Sequence, residues 1–120
     1  MKYAIIVYET AAEQAAREDP ARVGAYWASY TAYSNALGEA GVAAGGAGLQ
    51  APSTATTIRL RGGHRQVQDG PFADTKELLG GFFVIDVADL DAAMEWASRC
   101  PSAATGAVEV RPLLPPPPGV

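Results

Sequence analysis

Three carboxylates and a lysine gather around a Gly-Pro turn in the segment Asp69-Gly70-Pro71-Phe72-Ala73-Asp74-Thr75-Lys76-Glu77. A turn of this kind sets side chains at the rim of a rigid sheet, where binding and catalytic groups concentrate. Asp69, at a strand end and partly shielded by Phe72, has the setting for a raised pKa and a role as general acid or base. The competing reading is that its carboxylate bonds the backbone of its own turn. Lys76 is placed to hold an anionic substrate, against its default as a solvated cation. Glu77 stands three residues after Asp74, the separation of a capping box. Asp69, Asp74 and Glu77 together would suit a hard cation, but their spacing matches no established loop, and no metal site is expected.

A second group of candidates lies on a helical stripe. Val23, Tyr26, Tyr30, Tyr33 and Leu37 recur at spacings of three and four, which turns them to one face. Aromatic residues at this spacing ordinarily fill a core, yet a buried phenol needs a partner for its hydroxyl. Tyr30, in the middle of the stripe, is the candidate to orient a substrate hydroxyl or donate a proton. Asp69 and Tyr30 are thus the acid–base candidates, with Phe72, Lys76, Glu77 and Tyr26 as substrate-binding candidates.

His64, the only histidine, follows Gly62-Gly63 in a turn and reads as solvated. Cys100 is the only cysteine, so no disulfide within the chain is available and an intracellular, cytoplasmic setting is expected. It ends a helix before Pro101, where the backbone dipole disfavours a thiolate. The glycines from Gly41 to Gly48 follow a helix instead of opening one and lack a Gly-Lys-Ser/Thr, which argues against a nucleotide site. Without a nucleophile elbow or another cofactor motif, no cofactor is expected.

The bulk composition narrows the classes further. A chain of 120 residues, 48% hydrophobic and 18% charged, supports one folded core. A net charge of -4 argues against a nucleic-acid partner, whose phosphates demand basic surfaces. The apolar run at the N-terminus ends at Tyr8, far short of a membrane span.

These side chains are carried by a readable succession of elements. Tyr3–Tyr8 and Phe82–Val87 are strands apolar on both faces, which implies cover on both sides. A long helix opens at Asp19-Pro20 and stops at Gly41. Val42–Leu49 is a glycine-rich, bulged strand, and Ala55–Leu60 with Arg65–Gln68 form a hairpin around Gly62-Gly63. Asp74 and Glu77 cap a short helical turn that Gly80-Gly81 breaks. A second helix from Asp89 buries Leu90, Ala93, Met94 and Ala97 and ends near Cys100. Val108–Arg111 is the last strand, and a stiff proline-rich tail covers 114–120. The order predicts an α+β fold of the ferredoxin-like, split β-α-β type within a single domain over 1–113. Two helices cover only one face of such a sheet, so a homodimer is expected to cover the other.

The whole pattern resembles a known family. Met1-Lys2-Tyr3, Gly45-Gly46-Ala47-Gly48-Leu49-Gln50, Asp69-Gly70-Pro71-Phe72, Thr75-Lys76-Glu77, Gly80-Gly81-Phe82-Phe83, Asp89-Leu90-Asp91, Arg99-Cys100-Pro101 and Val108-Glu109-Val110-Arg111-Pro112 are similar to the motifs of DGPF-type members of the YCII-related family. The resemblance implies a dimeric α+β barrel of two ferredoxin-like subunits. Related folds include lyases, isomerases and dehydrochlorinases acting on hydroxylated rings or lactones. It implies a small-molecule-binding protein performing cofactor-independent proton transfer, such as isomerisation or elimination. The alternative is a non-enzymatic accessory or regulatory protein associated with a sigma factor. Shorter members are thought to pair an aspartate with a histidine on the first helix. That helix position falls on Tyr30 here, and Ala103–Gly106, where many DGPF sequences carry a histidine or tyrosine, has neither, so a histidine-based mechanism does not carry over.

Overall fold

The structure, a computed structural model, describes residues 1–119; Val120, the end of the expected tail, lies outside the described residues. Strand β1 (Lys2–Glu9) alternates along its length: Tyr3, Ile5, Val7 and Glu9 are buried, and Ala4, Ile6 and Tyr8 are half-buried. Side chains two apart share a face of a strand, so the first set points to the core. β1 pairs with β5 (Leu78–Asp86) on one side and β6 (Ala107–Pro112) on the other, both antiparallel. β2 (Ala43–Gly48) lines the outer edge of β5, giving the strand order β2-β5-β1-β6. Each helical crossover therefore skips one strand, the split β-α-β order.

Helices α2 (Val23–Glu39) and α3 (Leu90–Ser98) close the core against one face of this sheet. Tyr3, Ile5, Val7, Tyr33, Leu37, Ile85, Ala93 and Ala97 form the cluster, with Tyr30, Phe83 and Trp96 packed against it. Fully burying a side chain the size of Ile5 or Ile85 contributes about 1.5–3 kcal/mol. The Tyr33 hydroxyl donates to the Trp96 carbonyl at 2.8 Å, which satisfies a buried phenol and joins the two helices. Among the described residues no helix covers the opposite face, where Ala4, Ile6, Tyr8 and Val84 are half-buried and Phe82 is 38% exposed.

Several boundaries differ from the sequence reading. The helix expected from Asp19-Pro20 begins at Val23, with Arg22 as its N-cap residue. Asp19 instead closes the turn ahead of it, accepting from the Ala21 N–H at 2.9 Å and Arg22 Nε at 2.8 Å. The stop at Gly41 is as expected, with φ of +71° letting the Gly41 and Val42 amides bond back to the last turn. The turn expected at Asp74–Glu77 is not helical; the Thr75 hydroxyl donates to the Glu77 carbonyl and the chain runs extended into β5. Gly80-Gly81, expected to break that turn ahead of the strand, lies within β5, beside a register shift opposite Val7 and Tyr8. In α3, Ala93 and Ala97 are buried as read, whereas Leu90 and Met94 are about half exposed. The short residues face the sheet because the helix packs close to it. No helix among the described residues is long and apolar enough to cross a membrane.

The hairpin is a separate two-stranded sheet, β3 (Thr56–Arg61) with β4 (His64–Asp69). Gly62 and Gly63, with φ of +57° and +76°, make its two-residue turn, the mirror-image geometry that matches strand twist. A short helix unread in the sequence, α1 (Ala11–Ala16), follows β1 directly. Its start is fixed by a reciprocal cap: the Glu13 N–H donates to the Thr10 hydroxyl oxygen and the Thr10 N–H donates to the Glu13 carboxylate.

Candidate functional site

The last residue of β1, Glu9, is fully buried. A lone carboxylate in such a place is strongly disfavoured unless donors surround it, and three do. Gln14 Nε2 donates to Oε1 at 2.9 Å, Arg17 Nη2 donates to Oε1 at 2.8 Å, and the Tyr26 hydroxyl donates to Oε2 at 2.6 Å. α1 brings Gln14 and, just past its end, Arg17; α2 brings Tyr26. The carboxylate needs space that only glycine leaves, since a Cβ at Gly80 would run into it. This explains the placement of Gly80 inside β5.

Arg17 also ties this corner to its surroundings. Its Nε donates to the Tyr26 oxygen at 2.9 Å, Nη2 also donates to the Gly80 carbonyl at 3.1 Å, and Nη1 donates to the Leu49 carbonyl. Four of its five N–H groups are so committed, leaving one on Nη1. Burial alone would depress the guanidinium, but the Tyr26 hydrogen bond and the Glu9 charge more than reverse this, and its pKa is raised. The pair is charge-neutral as a unit, and the Arg17 side chain retains 14% exposure against none for Glu9.

This network lies at one end of a cleft of about 450 Å³ between α2 and the β2–β5 edge. On the helix side stand Tyr26, Trp27 and Tyr30, with Thr31 and Ser34 beyond them; on the sheet side the backbone of Gly45, Gly46, Gly48, Gly80 and Gly81 is bare of side chains, and Phe83 contributes a ring. The Tyr26 ring packs edge-on to Trp27 at 4.8 Å and tilted against Tyr30 at 5.2 Å. The cleft is therefore a slot with aromatic rings on one side and peptide backbone on the other.

Of the six candidate acid–base and substrate-binding residues, Tyr26 and Tyr30 line this cleft and Asp69, Phe72, Lys76 and Glu77 do not. The Tyr30 ring forms part of the wall, but its hydroxyl is sealed from solvent and has no hydrogen-bond partner among the described residues. Asp69 sits at the end of β4 opposite Thr56, exposed and remote from the cleft lining. Phe72 does not shield it: the ring is 78% exposed and lies under the Arg59 guanidinium, 5.3 Å from its centroid. The hairpin stands off the main sheet and carries this whole segment away from the core. Lys76 is exposed, and Glu77 borders a separate shallow hollow with Tyr8, Thr75 and Glu109. No group of three His, Cys, Asp or Glu side chains among the described residues is arranged to hold a metal ion. His64 opens β4 in the exposed hairpin, and burial pushes the Cys100 thiol up, away from a thiolate.

Glu9, Gln14 and Arg17 went unread in the sequence. The available signal was the Thr10-x-x-Glu13 capping box, which marks a helix start and so places Gln14 and Arg17 one turn apart beside the strand end.

Two stability measurements follow. Tyr26→Phe removes a donor to a buried carboxylate and an acceptor for Arg17, and is expected to cost about 1.5–3 kcal/mol in denaturant unfolding. Tyr30→Phe removes an unpaired hydroxyl and is expected to fall within about 0.5 kcal/mol of the parent or above it; equal losses for both would contradict this placement. Burial raises the pKa of Tyr26, Tyr30 and Tyr33, with Glu9 adding to the effect at the first two. Native phenols then hold their protons to higher pH than unfolded ones. The stability this confers is complete below the unfolded tyrosine pKa of about 10 and is lost as pH rises beyond it toward the native values. The melting temperature is expected to fall above about pH 10, with phenolate absorbance from these three rings appearing only on unfolding.

Comparison with known proteins agrees with this architecture. The chain is 38% identical over 117 residues to an uncharacterized protein of Rhizobium meliloti (strain 1021), covering 94% of this chain and 92% of that protein. Residues 1–116 match the YCII-related domain. The chain belongs to the YCII-related family.

Proposed function

We propose that this protein binds a small, flat, mainly apolar molecule in the cleft between α2 and the β2–β5 edge, and transfers a proton on it without a cofactor. The observation that carries the reading is the slot itself: about 450 Å³, aromatic on one side, glycine backbone on the other, with a neutral ion pair and a phenol at its end. Its volume falls within the range of small-molecule sites, which are mostly apolar with a few placed polar groups. Rings stack on rings, and a side-chain-free strand lets a planar group approach the backbone closely.

The chemistry follows from the hydrogen bonds. A substrate carbon bearing an acidic hydrogen, held against Tyr26, gives its proton to the phenol oxygen as the phenol's own proton passes to Glu9 Oε2 over the 2.6 Å bond. The electron pair left on the substrate moves onto its carbonyl oxygen, and the remaining Nη1 hydrogen of Arg17 stabilises that oxyanion. Return of the proton to another carbon completes an isomerisation; departure of a leaving group completes an elimination. Tyr26 is the catalytic residue in this scheme, with Glu9 as the terminal proton acceptor and Arg17 as the oxyanion donor. Tyr30 serves as a wall, and Asp69 has no part in it.

The subunit's uncovered sheet face supports pairing with a second copy. Ala4, Ile6, Tyr8, Phe82 and Val84 make a contiguous apolar surface across β1 and β5, and such surfaces mark interfaces. Two ferredoxin-like subunits packed face to face through it form an α+β barrel, with the clefts on the outer, helical sides.

The test is a thermal-shift and titration panel of planar ring ketones and phenols, matched to saturated molecules of the same size. Gly48 is the useful probe, because a Cβ there meets nothing within 4 Å and its φ carries no strain. Planar compounds are expected to raise the melting temperature of the parent and not of Gly48→Leu, whose side chain fills the slot in an intact fold. Bound ring ketones are expected to exchange a carbon-bound hydrogen with deuterated water in the parent and at least about 100-fold more slowly in Tyr26→Phe. No binding by any planar compound would overturn the reading.

A further inference from the structure

The β3–β4 hairpin has an apolar face that the described residues leave exposed. Its register puts Ile58 opposite Val67 and Leu60 opposite Arg65 on one side, and Ile58, Leu60 and Val67 are 51%, 67% and 56% exposed. A two-stranded hairpin is marginal alone in water and needs a surface to lie on. It is also basic: Arg59, Arg61 and Arg65 against Asp69 give residues 56–69 a net charge of +2, within a chain of -4, which leaves -6 on the rest.

A matching surface exists on α3. Leu90 and Met94, one turn apart and half exposed, run beside a parallel row of Asp91 and Glu95, also exposed. This is an apolar stripe with an acidic border, the complement of an apolar face with basic residues around it. Within one protomer the hairpin does not reach it, since the hairpin's contacts are chiefly between its own two strands.

We infer that each hairpin docks on α3 of a second copy of this chain, Ile58, Leu60 and Val67 against Leu90 and Met94, with Arg65, on the same face as Leu60, facing Asp91 and Glu95. The inference rests on the face-to-face dimer proposed above, and topology makes it reachable there. With the two-fold axis of that dimer running along the strands, the free edge β2 of one subunit lies beside the free edge β6 of the other. The hairpin leaves the chain just after β2, and α3 packs over β6. The exchange is symmetric, each copy giving an arm and receiving one.

The experiment pairs sedimentation with cross-linking. The parent is expected to sediment at twice its 12.4 kDa mass. A chain carrying both Leu60→Cys and Met94→Cys is expected to give a covalent dimer with a short bis-maleimide, while each single variant does not; the buried Cys100 stays unreactive. Both substituted side chains are exposed, so the fold is not at risk. A dimer that fails to cross-link, that links within one chain, or that links through either single variant would overturn the docking and leave the barrel standing. A monomeric parent would overturn both.

Discussion

A carboxylate with no access to water sets the terms for this molecule. Glu9 sits where β1 ends, and its charge is tolerable only because three donors from two later elements converge on it. To deliver those donors, α1 must fold directly after the strand and α2 must lay its first turns against the same corner. To leave room, β5 must carry glycine at position 80. The glycines of β2 and β5 and the aromatic residues of α2 then face each other across a gap, and that gap is the cleft. One desolvated charge thus ties the local geometry of three elements to the cleft beside α2.

This dependence also separates what the sequence made legible from what it did not. The apolar run Tyr3–Tyr8 and the stripe from Tyr26 to Leu37 report burial, and both the strand and its helix were readable from them. The two-glycine turn and the start of the second helix at Asp89 were readable because their backbone chemistry is local. Glu9 was not, because a glutamate at the end of an apolar run ordinarily marks where a strand meets solvent. Gly80-Gly81 looked like the break after a helical turn rather than part of a strand, until the carboxylate that needs the missing Cβ is known. Asp69 drew attention through the density of charge around it, yet the hairpin that carries it stands apart from the core. Charge in a turn reports a surface, whereas the working corner is assembled by long-range packing that spacing does not encode.

The electrostatics bear on function in the same way. Because Arg17 and Glu9 cancel, the end of the slot offers hydrogen bonds without net charge. An anionic ligand would lose its hydration there for no full countercharge, and in the proposed reading a neutral ring bearing a carbonyl would meet the one uncommitted Arg17 hydrogen instead. Tyr26, held between the two charged partners, is the group whose proton has somewhere to go.

The central claim is that Glu9 and Tyr26 act as one unit. A double-mutant cycle on unfolding free energy, combining Glu9→Gln with Tyr26→Phe, measures their coupling directly. The account predicts a coupling energy of about 1–3 kcal/mol, the double variant losing much less than the two single losses together. Losses that add to within about 0.3 kcal/mol would show two independent residues and contradict it.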